Sequence, residues 1–358
     1  MKALVFYGIG DIRFEPDWPD PPALGPKEVK ISTSWAGICG TDLQDYQRGG
    51  IISVDKPHPI TGRMAPLVLG HEFSGRIAEI GLDVEGLEVG QRVAVESIRG
   101  CKKCYWCQRH RYAQCQNLIS VGQQDDGGMA EYFNIPAENC IPISDGLGED
   151  VVTLAEPLAI MIRAAHKGNM QIGETVTVVG AGAIGLCGIA VARASGAKKV
   201  IAITHGGTRA EVATRMGAHY VLDSREQGWE KQYCDVTDGM KADLVFDTGG
   251  TIRAMQLAVE LTARGGRCVF VSLADDDVPV PCMDIVLNEK EIIGSAGHTH
   301  EEEFLWAVQY IADGRINVEP MITSRIYLED ALEKGFKKLQ QNRNEIKILV
   351  TPHRDLVQ

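Results

Sequence analysis

No long, unbroken apolar run occurs in this chain of 358 residues. The nearest candidate, residues 176–192, is interrupted by Gly180, Gly182, Gly185 and Gly188. It therefore reads as a strand, a glycine turn and a helix rather than as a membrane span. An excess of positive charge is missing too: 36 Lys and Arg stand against 48 Asp and Glu, a net charge of −12. That balance argues against nucleic acid or an anionic membrane as partner, because both need a cationic surface. The first fourteen residues reach charged and turn-forming side chains too soon for a secretory signal, which predicts a cytoplasmic location. Repeats and low-complexity tracts are absent, and 44 % hydrophobic with 23 % charged residues is ordinary globular composition. The length suggests about two domains.

Cysteine is plentiful and unevenly placed. Of ten, four (Cys101, Cys104, Cys107 and Cys115) crowd into fifteen residues and six are scattered. In a long chain that shows no export signal, such a cluster reads as metal ligands rather than disulfides. Two, two and seven intervening residues let one loop wrap one ion. Four sulfurs leave no open coordination position, so the predicted site is a closed, structural zinc site. Lys102, Lys103, Arg109 and Arg111 are expected to offset part of its negative charge.

The first 150 residues contain short extended runs, at 2–6, 29–35, 73–80 and 92–96, separated by turn clusters. From Thr175 onward strands alternate with helices, the strands expected at 175–179, 200–203, 220–222, 244–246, 268–271 and 292–295. Such alternation predicts a doubly wound parallel sheet, the Rossmann arrangement. Helices are expected at 183–195 and 208–216, stopped by Gly196 and Gly217, and later at 302–313 and 328–341, before a last apolar strand at 346–350.

Gly180-Ala181-Gly182-Ala183-Ile184-Gly185 is G-x-G-x-x-G, placed between an apolar β-branched strand and an amphipathic helix. In that context the first glycine permits the tight turn and the second lets backbone approach a pyrophosphate. The third lets helix and strand pack closely, and the helix start at Ala183 and Ile184 faces the phosphates. Nineteen residues past Gly185 stands Thr204, where an acid would bind the ribose 2′-hydroxyl of NAD. The chain reads Thr204-His205-Gly206-Gly207-Thr208-Arg209, with no acid and one arginine. That composition suits the 2′-phosphate of NADP, with Arg209 as its partner, in preference to NAD.

A second metal set is dispersed: Cys39 at a helix start, His71 and Glu72 after Leu67-Val68-Leu69, and Glu156 before Pro157. Cys, His and Glu make a sensible mixed set for a catalytic zinc, but spacing alone does not bring them together.

Taken jointly, Gly37-Ile38-Cys39-Gly40-Thr41-Asp42, Gly70-His71-Glu72, the four-cysteine lobe, Glu156-Pro157 and the glycine turn resemble the zinc-containing medium-chain dehydrogenases/reductases. Glu156, with residues 58–62 and 65–75, is similar to the butanediol, sorbitol and threonine dehydrogenase branch. The resemblance implies an α/β protein with a GroES-like, β-rich catalytic domain (residues 1–157, with 299–358 returning to it) and a Rossmann cofactor domain (158–298). It implies two zinc ions, one catalytic and one structural, and a homodimer or homotetramer. It matches Cys39 and His71 to ligands of the catalytic zinc, and Glu72 and Glu156 to carboxylates that ligate it or sit behind a water on it. Asp42 matches the group that orients the zinc-bound histidine, and Thr41 the hydroxyl that starts the proton relay. Gln44 stands where many relatives carry a histidine, so the proton is expected to leave by another route.

The function implied is reversible hydride transfer between a secondary alcohol, a diol or polyol, and NAD(P), giving a ketone. Alternatives are a biosynthetic NADPH-dependent ketone or aldehyde reductase of the same family, and a non-catalytic NADP(H)-binding sensor. The pair His298 and His300 and the turn Asp275-Asp276-Asp277 are expected to be solvated.

Overall fold

Apolar and polar residues alternate at the start of EVKISTSWAG, and that segment forms the strand Glu28–Gly37, with Val29, Ile31 and Thr33 turned inward. The structure is a computed structural model that describes residues 1–274 and 276–357, so Asp275 lies outside the described residues. Two units are formed. One comprises Met1–Glu156, His298–Asp313 and Ile322–Gln358; the other comprises Pro157–Gly297 and Gly314–Met321. The C-terminal return to the first unit is thus interrupted, since Gly314–Met321 stays with the second.

In the first unit the strand Glu28–Gly37 pairs with Glu72–Ile80, with Tyr132–Pro136 and with the C-terminal strand Lys347–Thr351. Gly37 lies opposite Glu72 on one side and Leu349 on the other. This register delivers Cys39, Glu72 and Lys347 to one end of the sheet. Leu4, Phe6, Ile31, Phe73, Ile77 and Ile348 belong to the core of this unit.

The second unit is built on one parallel sheet. Its strands, numbered here in chain order within that sheet, are β1 (Thr175–Val179), β2 (Lys199–Thr204), β3 (Tyr220–Asp223), β4 (Ala242–Asp247), β5 (Thr262–Phe270) and β6 (Glu291–Gly294). Their spatial order is β3-β2-β1-β4-β5-β6, the doubly wound order. The run TVTVV in β1 is almost wholly buried, as expected of a strand covered on both faces. The helices Ala183–Ala194 and Thr208–Arg215 end near Gly196 (φ +85°) and Gly217 (φ +107°), left-handed positions that favour glycine.

Two expected helices are less regular. The first opens with a π-turn, His300–Phe304, before the α-helix Leu305–Ala312. The second is split into Leu328–Asp330, the π-helical Ala331–Lys337 and Lys338–Gln341. A Cβ on Gly335 would stand 2.5 Å from Ile38 Cδ1, so the widened stretch brings bare backbone against the segment carrying Cys39. Among the described residues no helix is long and apolar enough to cross a membrane.

Candidate active site

The four-cysteine loop closes on itself. Sγ–Sγ separations are 3.5 Å for Cys104–Cys107, 3.8 Å for Cys104–Cys115 and 3.9 Å for Cys101–Cys107. A zinc tetrahedron with Zn–S near 2.3 Å has edges of about 3.8 Å, whereas a disulfide needs about 2.05 Å. The sulfurs therefore fit a metal and not a disulfide, and all ten cysteines are free. Backbone N–H groups of Cys104 and Cys107 donate to the sulfurs of Cys101 and Cys104. Chiefly through the Cys107 N–H, the Cys104 thiol is drawn down to about 6. Of the four basic residues of the lobe, Lys102 pairs with Glu138, and Arg109 and Arg111 lie over the Tyr105 and Trp106 rings.

The dispersed residues are assembled by strand register and one helix cap. Cys39 is the N-cap of the helix Gly40–Arg48, and its N–H donates to Asp42 Oδ2 at 2.9 Å. The other Asp42 oxygen stands 3.4 Å from His71 Nδ1, so one carboxylate both caps the helix and faces the ring. Ligand atoms of Cys39, His71 and Glu72 all lie within 4.8 Å of one another. Burial alone would depress the His71 pKa; Asp42 and Cys39 outweigh it and hold the ring well above its ordinary value. Thr41 Oγ1 lies 3.3 Å from His71 Nε2 and accepts a hydrogen bond from Gln123 Nε2, also 3.3 Å.

Each carboxylate is held by a buried cation. Lys347 Nζ donates to both oxygens of Glu72 at 2.7 Å and to the Ile38 carbonyl at 3.1 Å. Burial pushes the Glu72 pKa up, and Lys347 offsets part of that rise. Glu156 is not brought into the Cys39–His71–Glu72 group. Its Oε1 lies 3.1 Å from His298 Nε2, while His298 Nδ1 lies 3.0 Å from Glu96 Oε2. Burial opposes a charge on His298, but the two carboxylates prevail and raise it to about 10. The expectation of a solvated histidine pair is corrected here: His298 is fully buried and stacks on Phe304, and His300 is half-buried against the same ring. The reason is the carboxylate pair, which no local spacing reveals. Lys347 also escaped the sequence reading, although a lone charge inside the apolar Ile346–Val350 run was a usable signal.

The glycine turn is shaped for a nucleotide. Gly180 has φ +99°, and a Cβ on Gly182 would meet nothing within 4 Å, leaving an open cradle at the start of the helix Ala183–Ala194. A Cβ on Gly185 would fall 1.8 Å from the Gly180 carbonyl oxygen, so helix and turn touch there. These residues fit a dinucleotide pyrophosphate. Thr204 ends β2 and is buried, His205 is exposed, and Arg209 is half-buried in the first turn of Thr208–Arg215.

Comparison with known proteins agrees with this geometry. The family described as alcohol dehydrogenase GroES-like domain matches residues 25–145, and the family described as zinc-binding dehydrogenase matches residues 183–313. The (R,R)-butanediol dehydrogenase of Bacillus subtilis is 32 % identical over 359 residues, covering 99 % of this chain and 100 % of that protein. The crystal structure of 2R,3R-butanediol dehydrogenase from Bacillus subtilis superposes with a TM-score of 0.90 at 31 % identity, covering 98 % of this chain and 99 % of that one. A protein of Sinorhizobium meliloti, described as a zinc-binding dehydrogenase and bound to NADP, gives 0.87 at 28 % identity, with 98 % and 99 % coverage. The chain belongs to the zinc-type medium-chain alcohol dehydrogenase family and is an enzyme of that family.

Proposed function

We propose that this enzyme interconverts secondary alcohols bearing a neighbouring hydroxyl, vicinal diols or polyols, with their ketones, using NADP in preference to NAD. The observation that carries the reading is the convergence of Cys39, His71 and Glu72 on one point, with the Thr41 hydroxyl beside His71. When bound, zinc supplies Lewis acidity at the alcohol oxygen and the nucleotide supplies the hydride acceptor.

The chain's own residues do the rest. Cys39 and His71 hold the metal, with Glu72 or Glu156 as the carboxylate. Asp42 fixes the orientation of the His71 ring. Thr41 takes the alcohol proton and hands it on. Gln44 does not titrate, so the proton leaves through solvent. Gln123, a carboxamide already touching Thr41, offers a hydrogen bond to a second substrate hydroxyl and favours diols over simple alcohols. Cys101, Cys104, Cys107 and Cys115 hold a second, structural zinc. Gly180, Gly182, Ala183, Ile184 and Gly185 seat the pyrophosphate, while Thr204, His205 and Arg209 face the 2′-position.

Residues 1–157 with 299–358, apart from Gly314–Met321, form the catalytic domain of this reading, and 158–298 the cofactor domain. A cytoplasmic homodimer or homotetramer completes it; exposed Met283, Val286 and Leu287 on the helix Cys282–Leu287 supply apolar surface for self-association. The acid-free Thr204–Arg209 segment also favours a second reading, ketone reduction with NADPH as the working direction.

The test is a panel of initial rates on vicinal diols, polyols and simple secondary alcohols, each with NAD⁺ and NADP⁺, before and after dialysis against a chelator. Metal removal should abolish oxidation while leaving nucleotide binding intact. Undiminished turnover in the metal-free protein, or a uniform preference for simple alcohols, sinks the proposal.

A further inference from the structure

β3 runs parallel to β2, and their register places Asp223 directly beside Thr204. The position where the chain lacks an acid is thus flanked by an acid on the neighbouring strand. That acid is not available on its own. Arg225 Nε donates to Asp223 Oδ1 at 3.0 Å, Arg225 Nη2 donates to Oδ2 at 2.7 Å, and the Arg225 backbone N–H donates to Oδ1 at 2.9 Å. The same Nη2 donates to the carbonyl oxygen of His205. The guanidinium is therefore clamped flat between a carboxylate and the backbone of the loop that follows β2.

Gly206 makes this approach possible. It has φ +70°, and a Cβ there would lie 3.0 Å from Asp223 Oδ2 and 3.5 Å from Arg225 Nη2. Hydrogen bonding to Arg225 holds Asp223 down to about 2, so the pair stays ionised throughout the working pH range. An ionised Asp223 alone would repel a phosphate; paired with Arg225 its charge is cancelled. A guanidinium has five N–H donors, and the bonds described occupy its Nε and Nη2 side. The Nη1 edge remains, on a side chain that is 58 % exposed.

We propose that Arg225, clamped by Asp223 against the His205–Gly206 backbone, is a second cation of the site for the 2′-phosphate of NADP, acting with Arg209. The inference rests on the NADP reading above. A phosphate monoester dianion is best met by more than one cation, and a planar donor fork fixed in advance loses little entropy on binding. Arg209 follows the loop in the chain, whereas Arg225 is brought to it by the adjacent strand. Asp223 has a positioning role: it aims the fork, and with Arg209 counted the group still carries one net positive charge.

The experiment is calorimetric titration of the zinc-loaded full chain with 2′,5′-ADP and with 5′-AMP, which needs no alcohol substrate and no turnover. The wild-type protein should bind 2′,5′-ADP more tightly than 5′-AMP. Arg225→Gln should weaken 2′,5′-ADP about tenfold, leave 5′-AMP within about twofold, and flatten the salt dependence of 2′,5′-ADP binding. Retained 5′-AMP binding shows that the variant is folded. If the wild type shows no preference for 2′,5′-ADP, the NADP reading itself falls and takes this inference with it. If the wild type prefers 2′,5′-ADP and Arg209→Gln weakens it while Arg225→Gln does not, the NADP reading stands and only the role of Arg225 is overturned.

Discussion

The two candidate metal-ligand clusters of the first unit are built in opposite ways. The four-sulfur lobe draws all its ligands from one loop of fifteen residues, and its backbone N–H groups turn onto the sulfurs. The second cluster draws Cys39 from a helix cap, and His71 and Glu72 from the start of a distant strand. It then buries Glu72 against Lys347 and sets Glu156 against His298. In the proposed reading the loop of four soft ligands makes a closed site, and the mixed set of three ligands keeps a coordination position for a reacting molecule. The cost of the second arrangement is that its charges are desolvated and depend on remote partners.

The sharpest break in this comparison is Cys39→Ala. Alcohol oxidation should fall by about a thousandfold or more, with loss of one metal equivalent while the lobe keeps its own, as read by elemental analysis beside initial rates. Next comes Lys347→Met, which leaves a fully buried carboxylate without its cation. It should destabilise the protein by about 3–5 kcal/mol in chemical denaturation, and Glu72→Gln in the same chain should recover much of the loss. A double variant no better than the single one contradicts the pairing. Thr41→Val removes only the hydroxyl, so kcat should drop about a hundredfold with metal content unchanged. The mildest test is chemical labelling. Iodoacetamide should modify exposed Cys234 and Cys282 in intact protein, and chelation should add the lobe cysteines; peptide masses report both. Buried Cys140 and Cys268, whose thiols burial pushes up to about 12, should stay unlabelled until unfolding. Equal labelling of the lobe with and without metal argues against an ion there.

How legible each region was follows from the same contrast. The lobe is a sequence pattern because its ligands are near-neighbours along the chain. The glycine turn is equally plain, since strand, turn and helix are contiguous, although a Cβ on Gly180 or Gly185 would also meet Gly249 or Thr248 just past β4. The six strands of the second unit are found where the alternation put them, with ends shifted by one or two residues except that β5 begins six residues early, at Thr262; β3 runs on to Asp223. What spacing could not supply was adjacency across strands. Glu72 and Lys347 are 275 residues apart, and His298 and Glu156 are 142 apart. Asp223 lies beside Thr204 only because β2 and β3 are neighbours in parallel register. The solvated reading of His298 failed for this reason: the loop is polar in composition, yet its imidazole is covered by Phe304 and two carboxylates.

The C-terminal strand Lys347–Thr351 also has a meaning for how the molecule comes into being. During synthesis Cys39 and His71 leave the ribosome long before Lys347 exists, and until that strand docks beside Gly37 Glu72 lacks the cation that holds both its oxygens. A nascent chain can therefore close its sulfur lobe early, while the pocket for chemistry waits for the strand Lys347–Thr351.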